Sequence, residues 1–330
     1  MTAGTILLTG AAGVVGRALL AELTDQPVIC LVHRGRIPPG PYEIVTGDLT
    51  RPQLGLPPAE YDRLAARVDT VVHSAALTEW GRPEAEYEAV NVEGTRQVIE
   101  FAASADASVH FISTAFCAAL DRGGPTPLRA ENVTTNYVRA KRAGELLLAG
   151  SGLAYSIYRP TNLVGHSRTG WTSRAQIVQL VADWIGRGRA TLFPAHPGNL
   201  VDVVAQDLLA RSVRVAIERG ETGRELWLTY GKRAMTVEQA VRILVDHAHA
   251  RGRPIRAPRI VTPAEIDPAE IAAMSPNAQL FMRVLGDVSE VTAACGGALP
   301  SSMAWLVEHY GLPDVSDVEA FQCSLRAASG

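Results

Sequence analysis

The chain has 330 residues, a formal net charge of −3 and a hydrophobic fraction of 47%. Its length is too great for one small domain and suits a nucleotide-binding domain with a smaller companion. The slightly acidic balance argues against nucleic acid or a membrane surface as partner, and no apolar run approaches the roughly 20 residues of a membrane span. No segment reads as a signal peptide. Cys30, Cys117, Cys295 and Cys323 are scattered without metal-ligand spacing, so reduced thiols and a cytoplasmic setting are expected.

The run Thr5-Ile6-Leu7-Leu8-Thr9 has strand character and leads into Gly10, Gly13 and Gly16. A helical pattern follows at once, with Val14, Ala18, Leu19 and Leu23 on one face. Gly10 turns the chain off the strand end, Gly13 admits a ligand close to the backbone, and Gly16 lets the helix lie tight on the sheet. The helix start, including Val14 and Val15, then offers N–H groups and partial positive charge to a pyrophosphate. Val28 to Val32 reads as a second buried strand, ending in His33-Arg34-Gly35-Arg36. An acidic residue there would accept from an adenosine ribose and repel a 2′-phosphate. None is present, and arginines are, so NADP is preferred over NAD. Arg17 is placed to reach the same region. Glu43 to Leu49 is a third strand and turn, in which Asp48 either accepts from the adenine amino group or caps the turn.

Residues 50–58 read as a proline-rich loop, and Glu60 to Val68 as a helix. Thr70 to Ala76 reads as a fourth strand ending in the small residues Ser74, Ala75 and Ala76, past which a flat cofactor can lie. His73 reads as a satisfied core histidine. Glu84 to Ala103 is expected to be helical, although Asn91 is locally unfavourable there. Val109 to Thr114 is the fifth strand, ending in two hydroxyls. A loop from Asp121 to Asn132 precedes a helix with Tyr137 and Lys141. Ala154 to Pro160 is the sixth strand, after which Thr161 to Gly165 are expected to line the ligand site at the strand ends. The alternation predicts an α/β Rossmann fold, a doubly wound parallel sheet with ligands at the carboxyl ends of its strands.

Tyr137 and Lys141, four apart on a helix, share one face. A neighbouring ammonium favours the phenolate, so Tyr137 is expected to become a usable proton donor or acceptor. Thr114 can hold the same substrate oxygen, and Asn91 can carry a water toward Lys141. Lys141 can also bind the nicotinamide ribose.

The glycine pattern, Asn91, Thr114 and the Tyr137–Lys141 pair resemble the extended short-chain dehydrogenase/reductases. Several segments are similar, more narrowly, to the thioester-reductase and fatty-acyl reductase branch: Gly47-Asp48-Leu49, Leu54-Gly55-Leu56, Val68 to Ala76, Asn91 to Thr95, Tyr158-Arg159-Pro160 and Gly165 to Trp171. The resemblance covers roughly residues 5–230. It implies reduction of an acyl thioester by NADPH to an aldehyde or alcohol, with the thioester on an acyl or peptidyl carrier protein or coenzyme A, supplied in trans. It also implies pyrophosphate binding by Gly10, Gly13 and Gly16, catalysis by Thr114, Tyr137 and Lys141, and Ser113 as a neighbouring hydroxyl. The branch usually has arginine directly after the second strand; here His33 stands there, with Arg34 next.

Residues 1–230 are expected to form the NADP-binding domain, with substrate-site segments at about 165–200, and residues 231–330 a mainly helical region capping the substrate cleft. Arg168, Arg174, Arg187 and Arg189 surround a helix over about Ser173 to Gly186 and either face an acidic carrier protein or a pantetheine phosphate, or form a solvated face. Asp202 and Asp207 read as turn and capping residues. Thr236, Thr262 and Ser316 mark helix starts. His247 and His249, two apart, point to different helix faces, so no metal is expected. The competing readings are the same fold acting on a ketone, a secondary alcohol or a nucleotide sugar, and a non-catalytic dinucleotide sensor.

Overall fold

The computed structural model describes residues 4–121 and 128–328. Seven strands form the central sheet: β1 (Ile6–Thr9), β2 (Val28–Val32), β3 (Tyr42–Thr46), β4 (Thr70–His73), β5 (Ser108–Ile112), β6 (Tyr155–Pro160) and β7 (Glu225–Leu228). Their spatial order is β7-β6-β5-β4-β1-β2-β3, and every pairing is parallel. The order reverses between β1 and β4, which opens a crevice at their carboxyl ends. This is the doubly wound sheet that the alternation predicts.

Both faces of the sheet are covered, so the strands are apolar throughout rather than alternating. Ile6 and Leu8 enter one core and Leu7 the other. The first core takes α1 (Val14–Glu22). The second takes α2 (Pro58–Ala65), α3 (Gly94–Ala105) and part of α4 (Thr135–Ala149). Leu7, Leu8 and Leu19 are fully buried, each worth about 1.5–3 kcal/mol.

The helix expected over Glu84 to Ala103 is not uniform. An α-turn at Glu84–Tyr87 passes into a π-helical stretch, Glu88–Glu93, before α3 begins. Asn91, the residue that fits an α-helix badly, sits in that widened stretch, where such turns often serve a site.

Beyond β6 the chain forms α5 (Ile177–Gly186), α6 (Gln206–Glu218), α7 (Val237–Ala250), α8 (Pro276–Ala294), α9 (Met303–Tyr310) and α10 (Asp317–Ala327). Thr236 and Ser316 cap α7 and α10 as expected, each with its reciprocal Gln239 or Glu319 contact. Thr262 opens only a 3-10 turn, Pro263–Glu265. Ile266 is extended, and a short helix restarts at Pro268 under its own cap, Asp267. Buried residues of α5, α6, α7, α9 and α10 belong to the same core as α1 and one face of the sheet.

Candidate active site

Gly10 has φ +73°, and a Cβ there would lie 2.6 Å from the Ala75 backbone nitrogen. Glycine thus lets the β1 and β4 loops meet. At Gly16 a Cβ would lie 2.2 Å from the Gly10 carbonyl oxygen, so the helix could not approach the turn. No side chain caps the start of α1 at Gly13. Its first N–H groups are therefore left for a ligand.

A cleft of about 1030 Å³ runs from this turn along the strand ends. Gly10, Gly13, Val14, Val15 and Gly16 line one end, with His33, Arg34, Asp48 and Leu49 beside them. Ser74, Ala75 and Ala76 form the middle. Thr114, Tyr137, Lys141, Pro160 and Thr161 line the other end. Arg34 is exposed and has no protein partner among the described residues. Arg17 donates to the carbonyls of Ala12 and Arg36. Asp48 accepts from the Thr50 N–H at 3.0 Å and its hydroxyl at 2.7 Å, and faces His33 and Arg51. It is a turn-holding carboxylate here. Ser74 turns its hydroxyl to the Thr9 carbonyl.

Two expected members lie elsewhere. Val164 pairs with Ala205 in a short parallel ladder and is fully buried in the core, so it does not reach the cleft. Asn91 lies beneath the loop after β4. Its Oδ1 accepts from the Leu77 N–H at 2.7 Å, and its Nδ2 donates to the Leu77 carbonyl at 3.0 Å. The side chain expected to carry a water thus anchors the loop instead.

Thr114 is extended at the end of β5 and its Oγ1 accepts from the Phe116 N–H. Tyr137 stands in the first turn of α4, 9% exposed, with its ring 6.2 Å from that of Tyr87. Burial pushes the Tyr137 hydroxyl above its ordinary value, and the Thr114 side chain works against that. The lowering expected from Lys141 is not seen: burial sets the direction, and Lys141 has no part in it. Lys141 Nζ donates to the Ile112 carbonyl at 2.5 Å and lies 4.2 Å from the Phe111 ring centroid. Burial pulls the Lys141 ammonium down to about 8. Ser113, the neighbouring hydroxyl, donates to Glu145 at 2.5 Å. His73 is held between the hydroxyls of Thr9 and Thr95, and burial, with help from Lys141, holds it down to about 3.

A family model described as male sterility protein, an NAD-binding family, matches residues 41–213. The chain belongs to that family. A linear gramicidin synthase of Brevibacillus parabrevis is 30% identical over 243 residues, 63% of this chain and 5% of that protein. Glycine betaine reductase ATRR of Emericella nidulans is 28% identical over 251 residues, 64% of this chain and 20% of that protein. The chain therefore spans a small part of the length of these curated relatives. The terminal R domain from the myxalamid PKS-NRPS pathway matches with a TM-score of 0.72 at 23% identity, covering 99% of this chain and 90% of that one. A thiolation-reductase di-domain from an archaeal non-ribosomal peptide synthetase also gives 0.72, at 18% identity, with 99% and 75% covered. At these identities the likeness shows the fold, that of reductase domains and extended short-chain dehydrogenase/reductases. Family and fold are those of a dinucleotide-binding protein.

The far wall of the cleft was not legible in the sequence. It comes from Trp80 in the loop after β4, from Arg174 and Gln176, from Ile177 and Leu180 of α5, and from Leu280 and Val284 of α8. Exposed leucines at 180 and 280 on amphipathic helices were the available signal. Of the expected arginine cluster, Arg174 lines the cleft, while Arg187 pairs with Asp183 on the surface.

Two ion networks also escaped the sequence reading. Arg159, 2% exposed, meets Glu145 at 2.8 and 2.9 Å, reaches Glu225 at 2.8 Å and lies over the Trp227 ring. Arg129, Asn132 and Val133, ahead of α4, all bond to Asp287 or Glu290 of α8. Asp207 holds the loop Gly165 to Trp171 by accepting from the Ser167 N–H and hydroxyl at 2.7 and 2.6 Å, a tying role like that read for it. Residues 122–127 of the loop before α4 lie outside the described residues. Among those described, no helix is long and apolar enough to cross a membrane, and no group of His, Cys, Asp or Glu is arranged to hold a metal.

Proposed function

We propose that the protein reduces an acyl thioester, delivered on a carrier protein or coenzyme A, using NADPH and the set Thr114, Tyr137 and Lys141. The observation that carries this is that Thr114, Tyr137 and Lys141 together line one end of the cleft that begins at the glycine turn. A structural relative supports the substrate: it joins a thiolation domain to a reductase domain.

The uncapped start of α1 suits the pyrophosphate, and the unpartnered Arg34 suits a 2′-phosphate. The dinucleotide, when bound, supplies the hydride. Thr114 and Tyr137 would hold the substrate carbonyl oxygen and stabilise negative charge as it develops there. A Tyr137 hydroxyl raised by burial stays protonated through neutral pH, so it is a donor, as reduction requires. The buried Lys141 ammonium places positive charge one turn along α4. Asn91 serves by holding the loop that forms the middle of the cleft.

The test is oxidation of NADPH, and of NADH in parallel, with acyl-coenzyme A, an acyl pantetheine thioester, a ketone and a nucleotide sugar. Oxidation with the thioesters, yielding aldehyde or alcohol, is expected. Turnover of the ketone or sugar alone would move the substrate to another carbonyl. NADH used as well as NADPH would remove the role given to Arg34.

A further inference from the structure

Beside Thr114 the space does not end with the cleft. A second cavity of about 120 Å³ abuts it, and the two share Phe116, Thr161, Asn162, Ile177 and Val284 as walls. Phe116 follows Thr114 by two residues and its N–H bonds the Thr114 hydroxyl. The cavity therefore lies at the reacting end of the cleft, away from the glycine turn. Its remaining walls come from α5, α7, α8 and the segment Phe193 to Ala195, with Ala240 and Leu244 projecting from α7.

The polar groups in its walls are spent on one another. Asn199 donates to the Ser289 carbonyl and hydroxyl. The Asp202 carboxylate accepts from the Tyr230 and Gly231 N–H groups. Thr161 donates to the Asp202 carbonyl at 3.0 Å. Among the described residues the buried side-chain atoms without a hydrogen-bond partner are Tyr42 Oη and Gln206 Oε1, and neither residue lines the cavity. The walls are largely apolar, so a hydroxyl, amide or charge placed deep inside meets few partners and is costly to bury. An apolar group meets only favourable contact.

We infer that this chamber takes the aliphatic tail of the acyl group, and that the substrate is an acyl thioester with about four to six carbons beyond the carbonyl. The length follows from volume: an apolar cavity of about 150 Å³ stays dry and holds a benzene-sized molecule. A much longer chain does not fit, and a polar side chain is rejected by desolvation. The inference rests on the thioester-reductase reading for its chemistry; the chamber itself is independent of it.

The experiment is kcat/KM with NADPH for acyl pantetheine thioesters from acetyl to palmitoyl, in the wild type, Ala240→Phe and Leu244→Ala. In the wild type kcat/KM is expected to rise about fourfold per methylene up to roughly the length set by the chamber, then to fall. Ala240→Phe fills the chamber and brings the hexanoyl-to-acetyl ratio close to one. Leu244→Ala enlarges it and moves the optimum to longer chains. A flat profile, a preference for palmitoyl or for a hydroxylated acyl group, or a profile that neither variant alters would overturn the inference. Calorimetric titration of 1-hexanol gives a readout free of catalysis. Saturable binding by the wild type that Ala240→Phe abolishes supports the chamber even if no thioester is reduced, in which case the reaction reading alone has failed. Absent binding, or equal binding by both, overturns the chamber.

Discussion

On the cleft wall nearest β1 the ligand-facing groups are largely backbone: the Gly10 turn, the open first turn of α1 and the small residues Ser74 to Ala76. On the opposite wall they are apolar side chains, Ile177, Leu180, Leu280 and Val284, drawn from helices about a hundred residues apart. The first wall reads a ligand by N–H groups whose positions the sheet fixes. The second reads one by shape. Backbone recognition constrains sequence tightly, because a glycine at a positive φ has no ready substitute. Shape recognition constrains it weakly, because apolar residues of similar volume exchange at modest cost.

The two supporting ion networks divide in the same way. Glu145 and Arg159, under the sheet end, are 1% and 2% exposed. Arg129, which ties α8 to the start of α4, has a side chain 60% exposed.

The largest effect is expected where both walls meet the reacting group. Tyr137→Phe is predicted to lower kcat by about 10²–10⁴-fold, while urea unfolding changes by about 1 kcal/mol or less. Turnover at the wild-type rate would remove Tyr137 from the mechanism. Next, Glu145→Ala leaves the buried Arg159 guanidinium with Glu225 alone and frees Ser113, and is predicted to cost about 3–5 kcal/mol of stability. A loss near zero in urea titration would mean that water reaches Arg159, and the contrast between the two networks would disappear.

Arg34→Ala is predicted to raise the KM for NADPH by about 10–100-fold and to leave that for NADH unchanged. Equal effects on both would mean that Arg34 does not meet a 2′-phosphate. The pH profile comes next. Lys141 is held down to about 8 by burial, so its ammonium is present below that pH and lost above it. The rate is predicted to fall by about tenfold per pH unit above that value, with Lys141→Arg moving the fall to higher pH. A rate constant to pH 10 would assign no role to the charge. Arg129→Ala is expected to be the mildest, at about 1 kcal/mol, since Glu290 keeps the residue-129 N–H and Asp287 keeps the Val133 N–H and Arg283. A larger loss would show that the α8 contacts, rather than the sheet alone, hold the start of α4 in place.

Much of the sheet could be read residue by residue because its signals are local. Apolar runs of four to six residues, each closed by glycine or a polar turn, mark β1, β2, β4, β5 and β6. Local signals also located Thr236 and Ser316 as caps, for the reciprocal contact spans a single helical turn. Thr262 shows the limit. Its capping box is present, but Ile266 leaves the helical region directly afterward, and nothing in the four-residue pattern announces that.

The chain's own order of residues determined the parallel sheet, the glycine turn, the missing acid after β2 and the helical spacing of Tyr137 and Lys141. Each depends on neighbours within about one helical turn or one strand end, so the information is written contiguously. Tertiary structure decided how those residues are used. It buried Tyr137 deeply enough that desolvation raises its hydroxyl, with no lowering by Lys141. It turned Ser113 to Glu145 and Asn91 to Leu77, withdrew Val164 into the core, and brought α8 against α5 to close the cleft. Those outcomes depend on dielectric and on which surfaces meet across the fold, and both are properties of packed volume rather than of adjacent residues.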